Sequence, residues 1–162
     1  MKAIAAVNNN WGIGSGGQLL YHIPEDMKFF RRMTEGKVVI LGRKTLQTFP
    51  GGRPLKNRVN LIMTRDPDFT AEGAVICTGV EDMLDKAAQY PSDDLMVIGG
   101  AEIYELLLPM CDTVYITKID DSKSADKFFP DLDKAEDWTL SETSEEYEHE
   151  GIKYKFCTYV KA

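Results

Sequence analysis

Asp26 stands where a carboxylate is costly, in the stretch Leu19-Leu20-Tyr21-His22-Ile23-Pro24-Glu25-Asp26-Met27-Lys28-Phe29-Phe30. Pro24 suits the first turn of a helix, and the residues after it read as helical. At helical spacing Asp26, Phe30 and Met33 share one stripe, while Lys28, Arg31, Arg32 and Glu35 point elsewhere. An acid on an apolar stripe must be paired or protonated. Such placement raises a carboxylate pKa and suits proton chemistry. An acid in a first helical turn also favours the helix dipole, so this segment alone leaves both readings open.

Three glycine-containing junctions follow apolar strand-like runs. Asn8 to Gly17 contains Gly12-x-Gly14 but opens no helix, so it is not a Rossmann fingerprint. Its glycines suit a loop that approaches a ligand closely. Leu41-Gly42-Arg43-Lys44-Thr45 leads into a helix, where free N–H groups and two basic side chains suit an anion. It lacks the upstream Gly of a P-loop, and Arg43 interrupts the Gly-Lys pair, which removes support for phosphoryl transfer. Ile98-Gly99-Gly100-Ala101-Glu102-Ile103-Tyr104 joins another apolar strand to a helix and invites close backbone approach, with an unusual peptide geometry at the glycine pair. Two such junctions suit a ligand with separated phosphates. Thr64-Arg65 offers a hydroxyl and a guanidinium for a ribose phosphate. In Arg53-Pro54-Leu55-Lys56-Asn57-Arg58, Arg58 suits a ligand carboxylate or serves as a surface charge.

The elements that must position these residues follow from apolar patterning. Strand-like runs are Ala3–Val7, Lys37–Leu41, Val59–Thr64, Val75–Cys77, Leu95–Ile98, Thr113–Ile119, Trp138–Glu142 and Lys153–Val160. Val38-Val39-Ile40-Leu41 and Leu95-Met96-Val97-Ile98 are apolar throughout, as in parallel strands buried on both faces. Helices are expected over Pro24–Glu35, Lys44–Thr48, Glu81–Tyr90 and Ala101–Leu108. The alternation predicts an α/β single domain with a mostly parallel eight-stranded sheet, about four helices and an antiparallel C-terminal hairpin. In such a sheet, ligands sit at the carboxyl ends of the strands.

The chain has 162 residues, enough for one domain, with 43% hydrophobic and 28% charged residues. Its net charge of −7 argues against nucleic acid as the main partner. Much of the acid lies in Glu142 to Glu150, which reads as a solvated hairpin or loop. No apolar run is long enough to span a membrane, and the N-terminus lacks a secretory pattern. Three scattered cysteines, Cys77, Cys111 and Cys157, suggest reduced thiols in a cytosolic protein. Only His22 and His149 are present, which disfavours a His/Cys zinc site and leaves little for a Ser-His-Asp triad.

In order and spacing these segments resemble the dihydrofolate reductase family, of the bacterial chromosomal type. The resemblance rests on Ile4-Ala5-Ala6, Gly12-Ile13-Gly14, Ile23 to Phe30, Gly42-Arg43-Lys44-Thr45, Arg53-Pro54-Leu55, Arg58, Thr64-Arg65, Ile98 to Tyr104, Tyr115-Ile116-Thr117 and Asp126-Lys127-Phe128-Phe129-Pro130. It implies reduction of 7,8-dihydrofolate to 5,6,7,8-tetrahydrofolate with NADPH, for one-carbon metabolism. Dihydrofolate and antifolate inhibitors would be the ligands of a cytoplasmic monomer.

The resemblance also implies roles. Asp26, assisted by Thr117, would grip the pterin N3 and 2-amino edge. Met27, Phe30 and Leu55 would line the pocket, with Ile4, Ala5 and Ile98 beside the ring. Arg58, supported by Arg53, would hold the glutamate tail. Gly42, Arg43, Lys44 and Thr45 would bind NADPH phosphates, and Thr64 and Arg65 the 2′-phosphate. Ala6, Ile98, Gly99, Gly100, Ala101, Glu102, Ile103 and Tyr104 would complete the cofactor site, with a cis peptide at Gly99-Gly100. Residues 12–21 would form a lid, with Ile13, Gly14, Gln18 and Leu19 over nicotinamide and Tyr21 as a catalytic residue. Tyr21 stands where most relatives carry Trp, and Leu19-Leu20 where many have Met-Pro. His22 reads as a loop residue. Two other readings are a reductase of another heterocycle, as in riboflavin biosynthesis, and a non-catalytic nucleotide-binding module.

Overall fold

The computed structural model describes residues 1–162. Its strands are β1 (Lys2–Val7), β2 (Gly12–Ser15), β3 (Gln18–Leu19), β4 (Val38–Gly42), β5 (Val59–Met63), β6 (Val75–Cys77), β7 (Leu95–Gly99), β8 (Thr113–Asp120), β9 (Lys127–Phe128), β10 (Trp138–Thr143), β11 (Tyr147–His149) and β12 (Ile152–Lys161). The helices are α1 (Pro24–Thr34), α2 (Arg43–Gln47), α3 (Val80–Ala87) and α4 (Ala101–Leu107).

Eight strands lie in the order β10-β12-β8-β1-β7-β4-β5-β6, and β11 pairs with β12 as a ninth. The run from β8 to β6 is parallel throughout; β12 is antiparallel to both β8 and β10. The expected hairpin is therefore present, with β12 inside the sheet and β10 and β11 sharing its outer edge. The acidic stretch 142–150 occupies that edge and the tight turn into β12, and most of it is exposed.

The all-apolar strands behave as their patterning predicts. In β4, Val38 and Ile40 face one core cluster, and Val39 and Leu41 face the other. Met83 and Ala87 of α3 and Tyr104 and Leu107 of α4 close the first face. Leu46 of α2 and Phe29, Phe30 and Met33 of α1 close the second. All three cysteines are free and buried, consistent with small core residues.

Patterning missed the second sheet. Residues 12–19 form the β2–β3 hairpin, which pairs with β9 to give the order β3-β2-β9. Its strands span two to four residues, too few for alternation to register. Gly12 explains the close fit of this hairpin: an added Cβ would lie 2.6 Å from the Ala125 Cβ.

Candidate active site

The sheet parts at β1. This strand pairs with β8 along all six of its residues but with β7 only at Lys2 and Ala3. Beyond them a crevice opens between Ile4–Ala6 and the end of β7 at Ile98–Gly99. The buried Tyr104 hydroxyl donates to the Ile4 carbonyl at 2.6 Å and ties the two walls. Crevices at strand ends where the connection reverses are where open α/β sheets bind ligands.

Asp26 reaches this crevice from the first turn of α1. Its Oδ1 accepts the Thr117 hydroxyl at 2.6 Å, and Thr117 is the register partner of Ala6. Burial pushes the Asp26 carboxyl above the usual carboxylate range, while the Thr117 hydroxyl pulls it the other way. No basic side chain pairs with it. Ile4, Ile98, Phe30 and Leu55 belong to the apolar cluster on this face, and Met27, half-exposed, lies next to the acid on the outer side of α1. Asn60 fixes Leu55: its amide gives to the Leu55 carbonyl and receives from the Leu55 N–H, both at 2.9 Å. A buried Asn inside the apolar run of β5 was the available sequence signal for this brace.

Arg58 lies partly buried between the Leu55 turn and β5. Its Nε is fully buried and has no hydrogen-bond partner. Burial draws its pKa below the ordinary value, opposed by the charge of Glu35 and assisted by that of Arg31. A desolvated guanidinium nitrogen without an acceptor is an orphan that a ligand carboxylate would satisfy. Arg53 is exposed.

The two later glycine junctions meet. A Cβ on Gly42 would stand 3.1 Å from Ile103 Cγ1, and one on Gly100 would stand 3.1 Å from Thr45 Oγ1. Neither helix start has a side-chain cap, so the backbone N–H groups there are unclaimed by side chains. The Gly99-Gly100 peptide is cis. Ala101 is partly buried and Glu102 exposed. Gly42 is in register with Met63, which brings Arg43 beside Thr64 and Arg65. Arg43 packs over the Phe69 ring and pairs with Asp66 at 3.4 Å; Lys44 and Arg65 are exposed. The Thr64 Oγ1 accepts from the Asp66 N–H at 3.1 Å, which leaves its own hydrogen free. This cradle of approaching glycines, bare N–H groups and basic side chains fits a dinucleotide carrying an extra phosphate.

The hairpin of residues 12–21 leads into α1. Gly14 lies in β2, partly buried, and Ile13 packs on the main core. Gln18 and Leu19 are exposed, Leu19 at 81%. The Asp126 side chain accepts from the Gly16 N–H at 3.0 Å, and the Gly14 carbonyl accepts from the Asp126 N–H at 3.0 Å. Tyr21, like Ala6, packs against the small cluster of Ile23, Ile119 and Tyr154. Its hydroxyl donates to Asp121 Oδ2 at 2.6 Å. Burial first, and that acceptor second, hold the phenol above its ordinary pKa. His22 is exposed, as a loop residue should be. A separate hollow of about 290 Å³ near Trp11 and Lys118 is bounded by charges that pair among themselves, Lys118 with Asp133 and Lys153 with Glu146.

Sequence reasoning missed Asn8, Asn60 and Asp121. Asn8 sits in a polar triplet and Asp121 in a polar run, and both read as solvated.

The geometry agrees with known proteins across the chain. The family model described as dihydrofolate reductase matches residues 1–161. The dihydrofolate reductase of Bacillus subtilis is 36% identical over 160 residues, covering 98% of this chain and 92% of that protein. The enzyme of Neisseria meningitidis serogroup B is 35% identical over 158 residues, covering 98% and 96%. The solved dihydrofolate reductase of Enterococcus faecalis, complexed with NADP(H) and RAB-propyl, superposes with a TM-score of 0.88 at 34% identity, covering 99% of this chain and 95% of that one. A match over the full length, in sequence and in fold, places the chain in the dihydrofolate reductase family.

Proposed function

We propose how this chain carries out its family's reaction, the NADPH-dependent reduction of 7,8-dihydrofolate to 5,6,7,8-tetrahydrofolate. The observation that carries the assignment of roles is Asp26: one acid, bonded to Thr117 and otherwise among apolar side chains, at the edge of the β1–β7 crevice. NADPH, when bound, supplies the hydride that reduces C6. Asp26 and Thr117 hold the N3 and 2-amino edge of the pterin, and Ile4, Ala5, Met27, Phe30, Leu55 and Ile98 enclose its flat faces. Arg58, with Arg53 at the rim, takes the α-carboxylate of the glutamate tail. That contact satisfies the partnerless Nε. Asp26 grips the ring on the side away from N5. It therefore acts there through its charge, raising N5 basicity while water on the lid side delivers the proton.

The same reading assigns the cofactor side. Arg43, Lys44 and Thr45, with the N–H groups of Ala101, Glu102 and Ile103, face the diphosphate. Thr64 and Arg65 face the 2′-phosphate, which favours NADPH over NADH. Ala6, Ile13, Gly14, Gln18, Leu19, Gly42, Gly99, Gly100 and Tyr104 border the nicotinamide half, and Tyr21 closes the lid end near the acid. The chain works as a cytoplasmic monomer on small molecules. The net charge of −7 supports the lack of a nucleic-acid partner, and no helix is long and apolar enough to cross a membrane.

The test is Asp26→Asn. Single-turnover hydride transfer at neutral pH should fall by roughly 10²-fold or more, the scale of losing a preorganised electrostatic group. NADPH affinity should stay within about twofold, because the substitution spares every basic group of the cofactor rim. Wild-type turnover in the variant would remove the role given to Asp26. Failure of the unaltered protein to oxidise NADPH with dihydrofolate, in a methotrexate-sensitive manner, would remove the reaction itself.

A further inference from the structure

Both ends of the β2–β3 hairpin converge on one buried side chain. Asn8, 3% exposed at the end of β1, receives the N–H groups of Asn10 and Gly12 on its Oδ1, at 3.0 and 2.9 Å. Its Nδ2 donates to the Lys123 carbonyl at 2.8 Å and faces the Tyr21 hydroxyl at 3.5 Å. The loop after β8 completes the ring of contacts. Asp121 Oδ2 accepts the Tyr21 hydroxyl at 2.6 Å, and the Lys123 N–H approaches both the Tyr21 oxygen at 3.3 Å and Asp121 Oδ2 at 3.2 Å. Lys123 Nζ also donates to the Leu20 carbonyl at 3.3 Å. Trp11, just before β2, holds φ near 60° while its ring is buried against Phe129 and Tyr159.

A phenol has one hydrogen to give and two lone pairs to fill. In Tyr21 the hydrogen goes to Asp121, and both lone pairs face N–H donors, Asn8 Nδ2 and the Lys123 backbone. The hydroxyl hydrogen is therefore committed to Asp121, and the oxygen faces protein N–H groups at 3.3 and 3.5 Å.

We propose that Asp121 and Asn8 are positioning residues for the reduction: they hold the Tyr21 hydroxyl, so that the Tyr21 ring, packed on the same Ile23–Ile119–Tyr154 cluster as Ala6, the register partner of Thr117, acts as a fixed wall of the reacting site and not as a proton donor or water holder. This rests on the dihydrofolate reductase reading, because it takes the crevice beside Ala6 as the place where the pterin lies. Tyr21 works only while its far end is pinned, and the pin lies on a loop about 100 positions later in the chain.

The experiment is a double-mutant cycle on single-turnover hydride transfer, with Tyr21→Phe, Asp121→Ala and both together. Each single variant should slow the step by about three- to tenfold. The double variant should be no slower than the slower single one, because the two substitutions cut one bond. Dissociation constants for NADPH and dihydrofolate should move less than about twofold, which a general loss of structure would not spare. Asp121→Asn retains an acceptor oxygen and should restore most of the rate. Asp120→Ala, whose side chain bonds the exposed Asn9, serves as a loop control and should leave the rate unchanged. Additive losses, or a loss in Tyr21→Phe with none in Asp121→Ala, would overturn the proposal by showing that the hydroxyl acts on the reaction independently of its acceptor. Those outcomes leave the slowed Asp26→Asn variant and the function standing; failure of the unaltered protein to oxidise NADPH with dihydrofolate would instead strike the function.

Discussion

Two arginines given ligand contacts in the proposed function stand in opposite surroundings. Arg58 is partly buried, its Nε has no partner, and burial depresses its pKa. Arg43 is partly exposed, stacks over Phe69 and already pairs with Asp66. The first has one guanidinium nitrogen already out of water and without a partner. The second stays solvated and must exchange one anion for another. The same division separates the two halves of the crevice. The half proposed for the pterin is apolar with one acid, and the rim proposed for the cofactor is an exposed cluster of basic and hydroxyl groups. Buried, unpaired polar groups are energetically expensive to disturb, whereas exposed ion pairs contribute about 0–1 kcal/mol and weaken with salt. The two halves should therefore respond to mutation on different scales.

Arg58→Met is the larger test of this contrast. It keeps the stem and removes the guanidinium. The KM for dihydrofolate should rise on the order of 10²-fold, as expected for losing a charge-assisted bidentate contact. A pterin substrate lacking the glutamate tail should show no difference between variant and wild type. The variant should also unfold at the same temperature as wild type or higher, since an unsatisfied buried nitrogen has gone. A Tm well below wild type would mean that Arg58 braces the fold, and the contrast with Arg43 would fail.

Arg65→Ala probes the solvated half. Its expected effect is smaller, roughly three- to tenfold on the KM for NADPH, with little change for NADH. Preference for NADPH over NADH should shrink in wild type as salt rises, and shrink less in the variant. A salt-independent preference would show that the 2′-phosphate is read by buried groups, making the two halves alike.

The same physical division decided what could be read from sequence. Strands buried on both faces announce themselves: Val38-Val39-Ile40-Leu41 and Leu95-Met96-Val97-Ile98 lie in the parallel sheet because nothing polar interrupts them. Asp26 was legible because an acid on an apolar stripe is locally anomalous. The glycine junctions at Gly42 and Gly99-Gly100 were legible as strand-to-helix joints, although only the fold shows Thr45 against Gly100 and Ile103 against Gly42. Asn8 and Asp121 were not legible. Each sits in a polar run that reads as solvated, and what makes them matter is a partner 115 positions away in one case and 100 in the other. Hydrogen bonds of that span leave no trace in local composition. Tyr21 shows the limit from the other side: its position just before α1 was apparent, but where its proton points depends on a loop that the local sequence gives no reason to connect with it.

The smallest expected effect concerns stability and uses Asp26 again. Its carboxyl titrates above the usual range because burial penalises the charged form more than the Thr117 bond favours it. For an acid whose folded pKa is raised, the native state holds its proton more tightly than the unfolded chain does. Its contribution to stability is then fully present below the unfolded pKa and is lost as pH rises through the folded pKa. The amide introduced by Asp26→Asn carries no such titration, yet its side-chain oxygen still accepts the Thr117 hydroxyl. The variant should thus match wild type in Tm at acid pH, gain on it as pH climbs through the carboxylate range, and hold a constant lead at neutrality. Thermal melts of both proteins across that range would measure it. A lead that shrinks with rising pH would mean the ionised acid is stabilised by a charge partner in the crevice, and the pterin half would then resemble the basic rim in its electrostatics.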